Sequence, residues 1–194
     1  RAYSFPPFPL FVLIPFFFDT VHYARSTEQL KMIFDVFATP KVGFSTQSLM
    51  TLEEWCKFMK MLDLFDEDFT QREAKLAFAW SQMAVADEVR RRIPFTCITF
   101  EDFMEALARV CDMKALPTDK DLNGLSVADW FKDKLNKGLL DDYCRENPCN
   151  FFDKKYRPIS DLLPKFLELV YWKLDRDGDG DFDKADLQRF ASSG

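Results

Sequence analysis

Residues 175–186 read DRDGDGDFDKAD and are the strongest structural signal in this chain, because they place six carboxylates within twelve positions. Asp175, Asp177 and Asp179 alternate with other residues, and Gly180 permits a sharp backbone reversal that brings the second half of the segment back. Hard divalent cations take about six to eight oxygen ligands at ~2.3–2.6 Å, and one short loop can supply them. The candidate metal ligands are therefore Asp175, Asp177, Asp179, Asp181, Asp183 and Asp186.

Apolar residues at helical spacing lie on both sides of this acidic segment. Because Pro164 suits a first helical position, we predict that the upstream helix starts near Leu163. A second helix is predicted to leave the segment on its downstream side. The apolar faces consist of Leu167, Val170, Tyr171 and Leu174 upstream and of Leu187 and Phe190 downstream.

A helix, a twelve-residue acidic loop and a second helix together resemble the EF-hand superfamily. The resemblance implies that the aspartates of the first half ligate Ca²⁺ directly, that Asp181 uses its backbone carbonyl and that Asp183 holds a water. It also implies that Phe182, the apolar residue at the eighth position, pairs with a sister loop. The alternative is an acidic, solvated turn in which the aspartates only cap helices.

The last ligand position departs from the family, which usually has a bidentate glutamate where this chain has Asp186. Aspartate is one methylene shorter, so we expect weaker Ca²⁺ binding, in the micromolar-to-millimolar range, and less discrimination against Mg²⁺. In the absence of an ion the aspartates repel one another by roughly 0.6 kcal/mol per pair at ~6–7 Å in bulk water. We therefore expect an empty loop to be mobile.

Two further segments align with each other without gaps, MTLEEW at residues 50–55 and ITFEDF at residues 98–103. Each has an apolar residue, a threonine that can cap a helix, two acidic residues and an aromatic residue. Thr51 and Thr99 therefore predict helix starts. The alignment resembles the second half of an EF-hand, in which Met50 and Ile98 would occupy the eighth loop position.

The first halves of these two units lack ligands at the required spacing. The connections at residues 38–49 and 84–97 cannot enclose Ca²⁺, but they can hold a helix pair and a short β contact between sister loops. The alternative is two unrelated helix–loop–helix units. We predict entering helices near residues 27–37 and 71–83 and exiting helices near residues 51–62 and 99–110.

The expected fold is all-α, with two EF-hand-like lobes of paired helix–loop–helix units and an extended apolar N-terminal arm. The arm spans residues 1–25, the first lobe 26–114 and the second lobe 115–194, in which residues 164–194 form the metal-competent hand. Residues 114–123 are predicted to connect the lobes. Further helical or acidic stretches follow at 126–136 and 139–147, and Ile159 is the only candidate for the eighth position of a degenerate sister loop.

Residues 5–18, FPPFPLFVLIPFFF, are strongly apolar but contain four prolines, so they are too short and too broken to span a bilayer as a helix. We predict an extended arm that docks on a partner or on the chain's own lobes. The alternative is a piece of ordinary core. Because the chain begins with Arg1, we also expect it to be part of a longer gene product.

Composition excludes several classes of function. The net charge of −6 argues against sequence-independent nucleic-acid binding, and 6 glycines disfavour phosphate-binding loops. Five cysteines without CxxC spacing predict free buried thiols in a reducing compartment. The chain contains no nucleophile-elbow, Walker or dinucleotide fingerprint, so we expect a protein that is not an enzyme.

The functional hypothesis is a structural adaptor that binds other proteins in a larger assembly. The stretch at 98–110, ITFEDFMEALARV, is similar to EF-hand-like proteins of ciliary and flagellar axonemes, which implies a cytoplasmic location in the cytoskeleton of a cilium or flagellum. Two alternatives remain open, a Ca²⁺-dependent sensor and a regulatory EF-hand fragment of a larger enzyme. A Ca²⁺ buffer is disfavoured, because buffers need several strong sites.

Overall fold

A computed structural model describes residues 20–40, 48–66, 69–82, 96–147, 157–175, 178 and 183–192. The described chain is mostly helical, as the all-α class predicts. The predicted arm at 5–18 lies outside these residues. The elements are α1 Thr20–Phe37, β1 Thr39–Pro40, β2 Ser48–Thr51, α2 Leu52–Met61, α3 Gln71–Ser81, β3 Cys97–Ile98, α4 Phe100–Met113, α5 Asp119–Leu122, α6 Val127–Lys137, α7 Leu140–Glu146, α8 Ile159–Leu174 and α9 Lys184–Ser192.

Threonine capping boxes start α2, α3 and α4. The Thr51 backbone N–H donates to Glu54 Oε2 at 2.7 Å, and the Glu54 N–H donates back to Thr51 Oγ1 at 3.3 Å. Thr99 and Asp102 form the same reciprocal pair before α4. Both predicted caps are therefore confirmed, and each satisfies backbone N–H groups that have no partner within the helix.

A short antiparallel contact joins the segments that precede α2 and α4. Strand β2 pairs with β3 so that Met50 lies opposite Ile98 and Thr51 lies opposite Cys97. Met50 and Ile98 are both fully buried. The β contact that the aligned segments allowed is thus present, between the two residues placed at equivalent positions. On its other side β2 pairs with β1, which completes a sheet of three very short strands.

Aromatic side chains fill the core of the N-terminal half. Trp55 on α2 packs edge-on against Phe103 of α4, with ring centres 5.9 Å apart, and also contacts Phe58 and Phe78. Its indole N–H donates to the carbonyl of Ala74 at 2.9 Å. Because this polar group is satisfied, the ring can be completely buried at no hydrogen-bonding cost.

Helix α4 lies at the centre of the molecule. Every residue from Asp102 to Cys111 is buried, and α4 packs against α1, α3 and the long C-terminal helix α8. Glu105 and Arg109 on this buried stretch lie one turn apart and form an ion pair with each other. One continuous hydrophobic core therefore runs from α1 through α4 to α8 and α9.

The first part of the predicted connection at 114–123, residues 114–117, is buried. Lys114 donates to the Leu64 carbonyl at 2.9 Å and forms an ion pair with Asp66. Arg157, just before α8, donates to the carbonyls of Leu116 and Pro117 at 2.6 and 2.9 Å. These contacts fix the connection against elements from both halves of the chain.

Two predicted helix starts are wrong, that of α8 and that of α1. Helix α8 begins at Ile159, not near Leu163, so Pro164 lies inside the helix. The additional turn is stabilised by burial of Ile159 and Leu162 against the core and by Arg157, which pairs with Asp161 at 2.8 Å. Because Ile159 is helical, it cannot serve as the eighth position of a sister loop.

Helix α1 begins at Thr20 and therefore includes residues 20–25, which the sequence assigned to the arm. The predicted entering helix at 27–37 is its C-terminal part. Leu30, Ile33 and Phe34 of that part are buried. Helix α3 ends at Ser81, close to the predicted end at 83.

Candidate metal-binding site

The first end of the acidic segment is held by the end of α8. Asp175 is the residue after the helix, and its backbone N–H donates to the Tyr171 carbonyl at 2.8 Å. Its side-chain Oδ1 accepts the Gly178 N–H at 2.7 Å. Gly178 has a φ of 75°, a left-handed conformation that glycine adopts without strain. Asp175 therefore ends α8 with an extended backbone conformation.

The second end of the segment is held by the start of α9. Asp183 Oδ1 accepts the N–H groups of Ala185 and Asp186 at 2.7 and 3.0 Å. In return, the Asp183 N–H donates to Asp186 Oδ2 at 3.2 Å. Two carboxylates at a helix N-terminus are favourable, because they face the positive end of the helix dipole.

Asp186 is buried, with 1 % of its surface exposed. Its Oδ1 lies 3.8 Å from Nη1 of Arg189, one turn further along α9. The next residue, Leu187, is equally buried and belongs to the continuous core. The carboxylate of the twelfth position is therefore attached to a helix segment that cannot move without disturbing the core.

The donors that the structure describes fit a hard divalent cation in kind, because they are anionic oxygens at both ends of one short segment. Asp175, Asp183 and Asp186 are the described ligand candidates. Asp177, Asp179 and Asp181 lie outside the described residues. Within the described residues alone, no three metal-ligating side chains lie close enough together to hold an ion.

A basic and aromatic cluster lies beside the first end of the segment, and no sequence pattern predicts it. Lys173 Nζ is 5.2 Å and Lys132 Nζ 5.6 Å from the ring centre of Trp172, within the range of cation–π attraction. Lys173 also forms an ion pair with Asp63 at 3.4 Å. Asp63 follows α2 in the N-terminal half, so this contact links residues 110 positions apart in sequence.

The cysteines do not offer a competing metal site in the described chain. Cys97, Cys111 and Cys144 are buried, as predicted, whereas Cys56 is half-buried. Burial raises the pKa of Cys111 well above its ordinary value, and the acidic Asp112 adds to this effect. Burial also raises the pKa of Cys56. Thiols that stay protonated are poor metal ligands. Cys149 lies outside the described residues.

No helix among the described residues is long and apolar enough to cross a membrane. Comparison of the chain with protein-family models, with curated proteins and with solved structures gives no significant match in any of the three.

Proposed function

We propose that this chain is a calcium-binding protein of the EF-hand type, with residues 175–186 as its metal loop and Mg²⁺ as the competing ion. The observation that carries the proposal is that aspartates anchor both ends of the loop to helix termini. Asp175 closes the last turn of α8, whereas Asp183 and Asp186 open α9. Asp177, Asp179 and Asp181 complete the proposed ligand set.

The proposed role is that of a non-enzymatic structural adaptor in a larger protein assembly. In a Ca²⁺ sensor the ion separates two helices and exposes an apolar groove. Here α4 is enclosed by α1, α3 and α8, and the core continues through all of them. Opening such a groove would expose buried aromatic residues, which supports a fixed shape. The proposed setting is a cytoplasmic, cytoskeletal assembly of a cilium or flagellum, on the likeness of residues 98–110 to axonemal proteins.

The proposal for the ion is tested by titrating the full chain with Ca²⁺ in a calorimeter. We expect one site with a dissociation constant of about 10 µM to 1 mM. Asp175→Asn is the decisive variant, because asparagine keeps an oxygen that can accept the Gly178 N–H but removes the charge. We expect this variant to bind Ca²⁺ at least about tenfold more weakly, since ligand charge sets affinity in such loops.

The matched control is Asp133→Asn on α6, where an exposed aspartate pairs with Lys137. It changes the net charge by the same amount and should leave the affinity unchanged. Equal losses in the two variants would mean a diffuse charge effect. If the unaltered chain shows no heat of binding at millimolar Ca²⁺, the metal-loop proposal is wrong and the aspartates only cap helices.

The adaptor role is tested separately by small-angle scattering of the full chain with and without saturating Ca²⁺. We expect the radius of gyration to stay the same, because the packing of α4 does not depend on the loop. A Ca²⁺-dependent expansion together with binding of a hydrophobic dye would favour the sensor instead.

A further inference from the structure

The turn between α5 and α6 contains an asparagine followed by a glycine, Asn123 and Gly124. Both residues have a left-handed backbone, with φ values of 49° and 85°, and both are exposed. Asn123 caps the C-terminus of α5, where its N–H donates to the Asp119 carbonyl at 3.2 Å. A second hydrogen bond closes the turn, from the Leu125 N–H to the Leu122 carbonyl at 2.9 Å. These two backbone hydrogen bonds hold the dipeptide in place.

The Gly124 nitrogen, which lies between these two bonds, is accessible. Among the residues that the structure describes, its N–H donates no hydrogen bond, and the Asn123 side chain makes none. A Cβ atom placed on Gly124 would meet no atom of the described chain within 4 Å. Because glycine has no side chain, nothing at this position blocks the approach of the Asn123 side chain. The nitrogen and the amide carbon that it can attack are therefore both available for reaction.

We propose that Asn123–Gly124 is a site of spontaneous deamidation and isomerisation, controlled by opening of the turn. Asparagine is a thermolabile residue. The Gly124 nitrogen attacks Cγ of Asn123, a bond forms between these two atoms, and the side-chain nitrogen leaves as ammonia with the proton that Gly124 gives up. The proposal does not need an ion in the acidic segment.

Water then opens the cyclic imide at either of its two carbonyl groups. Cleavage of the newly formed bond gives aspartate. Cleavage of the original peptide bond between Asn123 and Gly124 gives isoaspartate, in which the main chain runs through Cγ. Water is the only co-reactant, and no atom is oxidised or reduced. The product carries a carboxylate in place of the amide.

The closed turn slows the attack. Asn123 has a ψ of 38°, which places the Gly124 nitrogen nearly opposite the Asn123 Cβ across the Cα–C bond. Ring closure therefore needs rotation about that bond, and the rotation breaks the hydrogen bond that Leu125 donates. From outside the turn, the Tyr143 hydroxyl holds Asp121 of α5 at 2.9 Å. Loss of this contact should favour the open turn, because short exposed elements open locally at low cost.

Isoaspartate at position 123 would change how α6 is joined to α8. On one side of the turn, Asp119 pairs with Lys165 of α8 at 2.7 Å. On the other side, the Val127 N–H donates to Glu168 of α8 at 2.9 Å. The additional main-chain carbon lengthens the connection between two contacts on the same helix, so one of them should weaken. The modification therefore couples the age of the chain to the docking of α6.

Incubation of the full folded chain at mildly alkaline pH, followed by peptide mapping with mass spectrometry, tests the proposal. We expect Asn123 to become a mixture of aspartate and isoaspartate, faster as the pH rises, because the attacking nitrogen must lose its proton. Two other exposed asparagines are internal controls. Asn136 lies inside α6 before Lys137, and Asn147 precedes Pro148, which has no N–H. Conversion of Asn123 no faster than that of Asn136, or to aspartate alone, would overturn the proposal.

Two variants that each remove one side-chain hydrogen bond test the control by the turn. Tyr143→Phe releases Asp121 and should accelerate conversion of Asn123 by up to about fivefold, the factor that one hydrogen bond contributes. Trp55→Phe removes the indole bond to Ala74 and is the matched control, with no change expected. Equal acceleration in both variants would mean that the globally unfolded chain reacts. No acceleration in Tyr143→Phe would mean that the turn does not control the reaction, and either result overturns the proposal.

Discussion

In the N-terminal half, α2 and α4 follow two short strands that pair with each other, whereas in the C-terminal part α9 follows a segment of aspartates. Met50 and Ile98 are buried opposite each other, and an aromatic core lies beneath them. The segment before α9 instead carries like charges that repel. Burial of apolar side chains stabilises the fold without any bound ion, but closely spaced carboxylates are stable only when a positive charge offsets their repulsion. The comparison therefore predicts one part that is stable without ions and one that depends on them.

The largest effect is expected in the aromatic core. Trp55→Ala should lower the free energy of unfolding by about 3–5 kcal/mol, because it removes a fully buried ring and the hydrogen bond to Ala74. The loss should be the same with Ca²⁺ and with a chelator, as measured by urea denaturation. Leu125→Ala is the control, since Leu125 is 51 % exposed and should contribute little. A loss that depends on Ca²⁺ would remove the distinction between the two parts.

The next effect concerns the connection between the halves. Lys114→Met should cost about 3 kcal/mol, because it removes the Lys114 ammonium from the Asp66 carboxylate, whose side chain is only 9 % exposed. Adding Asp66→Asn should recover part of this loss, since asparagine can still accept the Phe69 N–H that now binds Asp66 Oδ1 at 2.6 Å. Chemical denaturation of the single and double variants measures both values. Without recovery in the double variant, loss of the Leu64 contact rather than the unpaired charge would explain the cost.

A smaller change is expected from lengthening the last proposed ligand. Asp186→Glu should tighten Ca²⁺ binding by about one order of magnitude and Mg²⁺ binding much less, because a bidentate glutamate suits the larger ion. Glutamate can also retain the capping hydrogen bond from Asp183. Calorimetry with each ion measures the ratio, and Asp141→Glu on the exposed start of α7 is the control. An unchanged ratio would show that residue 186 is not a ligand.

The smallest effect concerns a hydrogen bond in the C-terminal half. The Tyr143 hydroxyl donates to Asp121 Oδ2 at 2.9 Å. Burial alone would raise the pKa of Asp121, but hydrogen bonds from Thr118 and from Tyr143 outweigh it, and the pKa of Asp121 is lowered. For Tyr143, burial first and then this hydrogen bond raise the pKa above its ordinary value. Tyr143→Phe should therefore cost about 1 kcal/mol at neutral pH.

The pH dependence provides a second readout of the same variant. Asp121 contributes stability above its unfolded pKa of about 4, and this is lost as the pH falls through its lower folded pKa. Tyr143 contributes stability below its unfolded pKa of about 10, and this is lost as the pH rises toward its higher folded pKa. Tyr143→Phe should therefore lose less stability than the unaltered chain between pH 5 and pH 2, a window that extends about a unit or more on either side of the unfolded aspartate pKa. The variant should also lack the loss of stability at alkaline pH that Tyr143 causes. An unaltered acid limb, measured by thermal denaturation, would mean that the Asp121 pKa does not depend on Tyr143.

Interactions between residues close in sequence are predictable from the sequence, whereas contacts between residues far apart in sequence are not. Thr51 and Thr99 are caps because the residue that completes each box lies three positions away. The ion pair between Lys114 and Asp66 joins residues 48 positions apart, so the sequence predicts for Lys114 only that it belongs to the connection at 114–123. Burial of Lys114 follows only from the packing of both halves.

The start of α8 shows the limit of a local rule. Pro164 predicts a helix start, but the apolar residues before it gain more by packing against the core than the proline costs. The candidate site was predictable at the level of residue type, because its aspartates are close in sequence. The attachment of α8 and α9 to the N-terminal half was not, because Asp63 and Lys173 carry no shared sequence pattern.

The capping boxes and the strand pair also differ in when they can form during folding. A capping box closes a ring over three residues, whereas the pairing of Met50 with Ile98 closes a segment of 48 positions. Closing the longer segment costs more chain entropy, because the closure cost rises with the length of a flexible segment. The starts of α2 and α4 are therefore available before the strands meet. Replacement of Thr99 should mainly slow folding, whereas replacement of Ile98 should mainly accelerate unfolding.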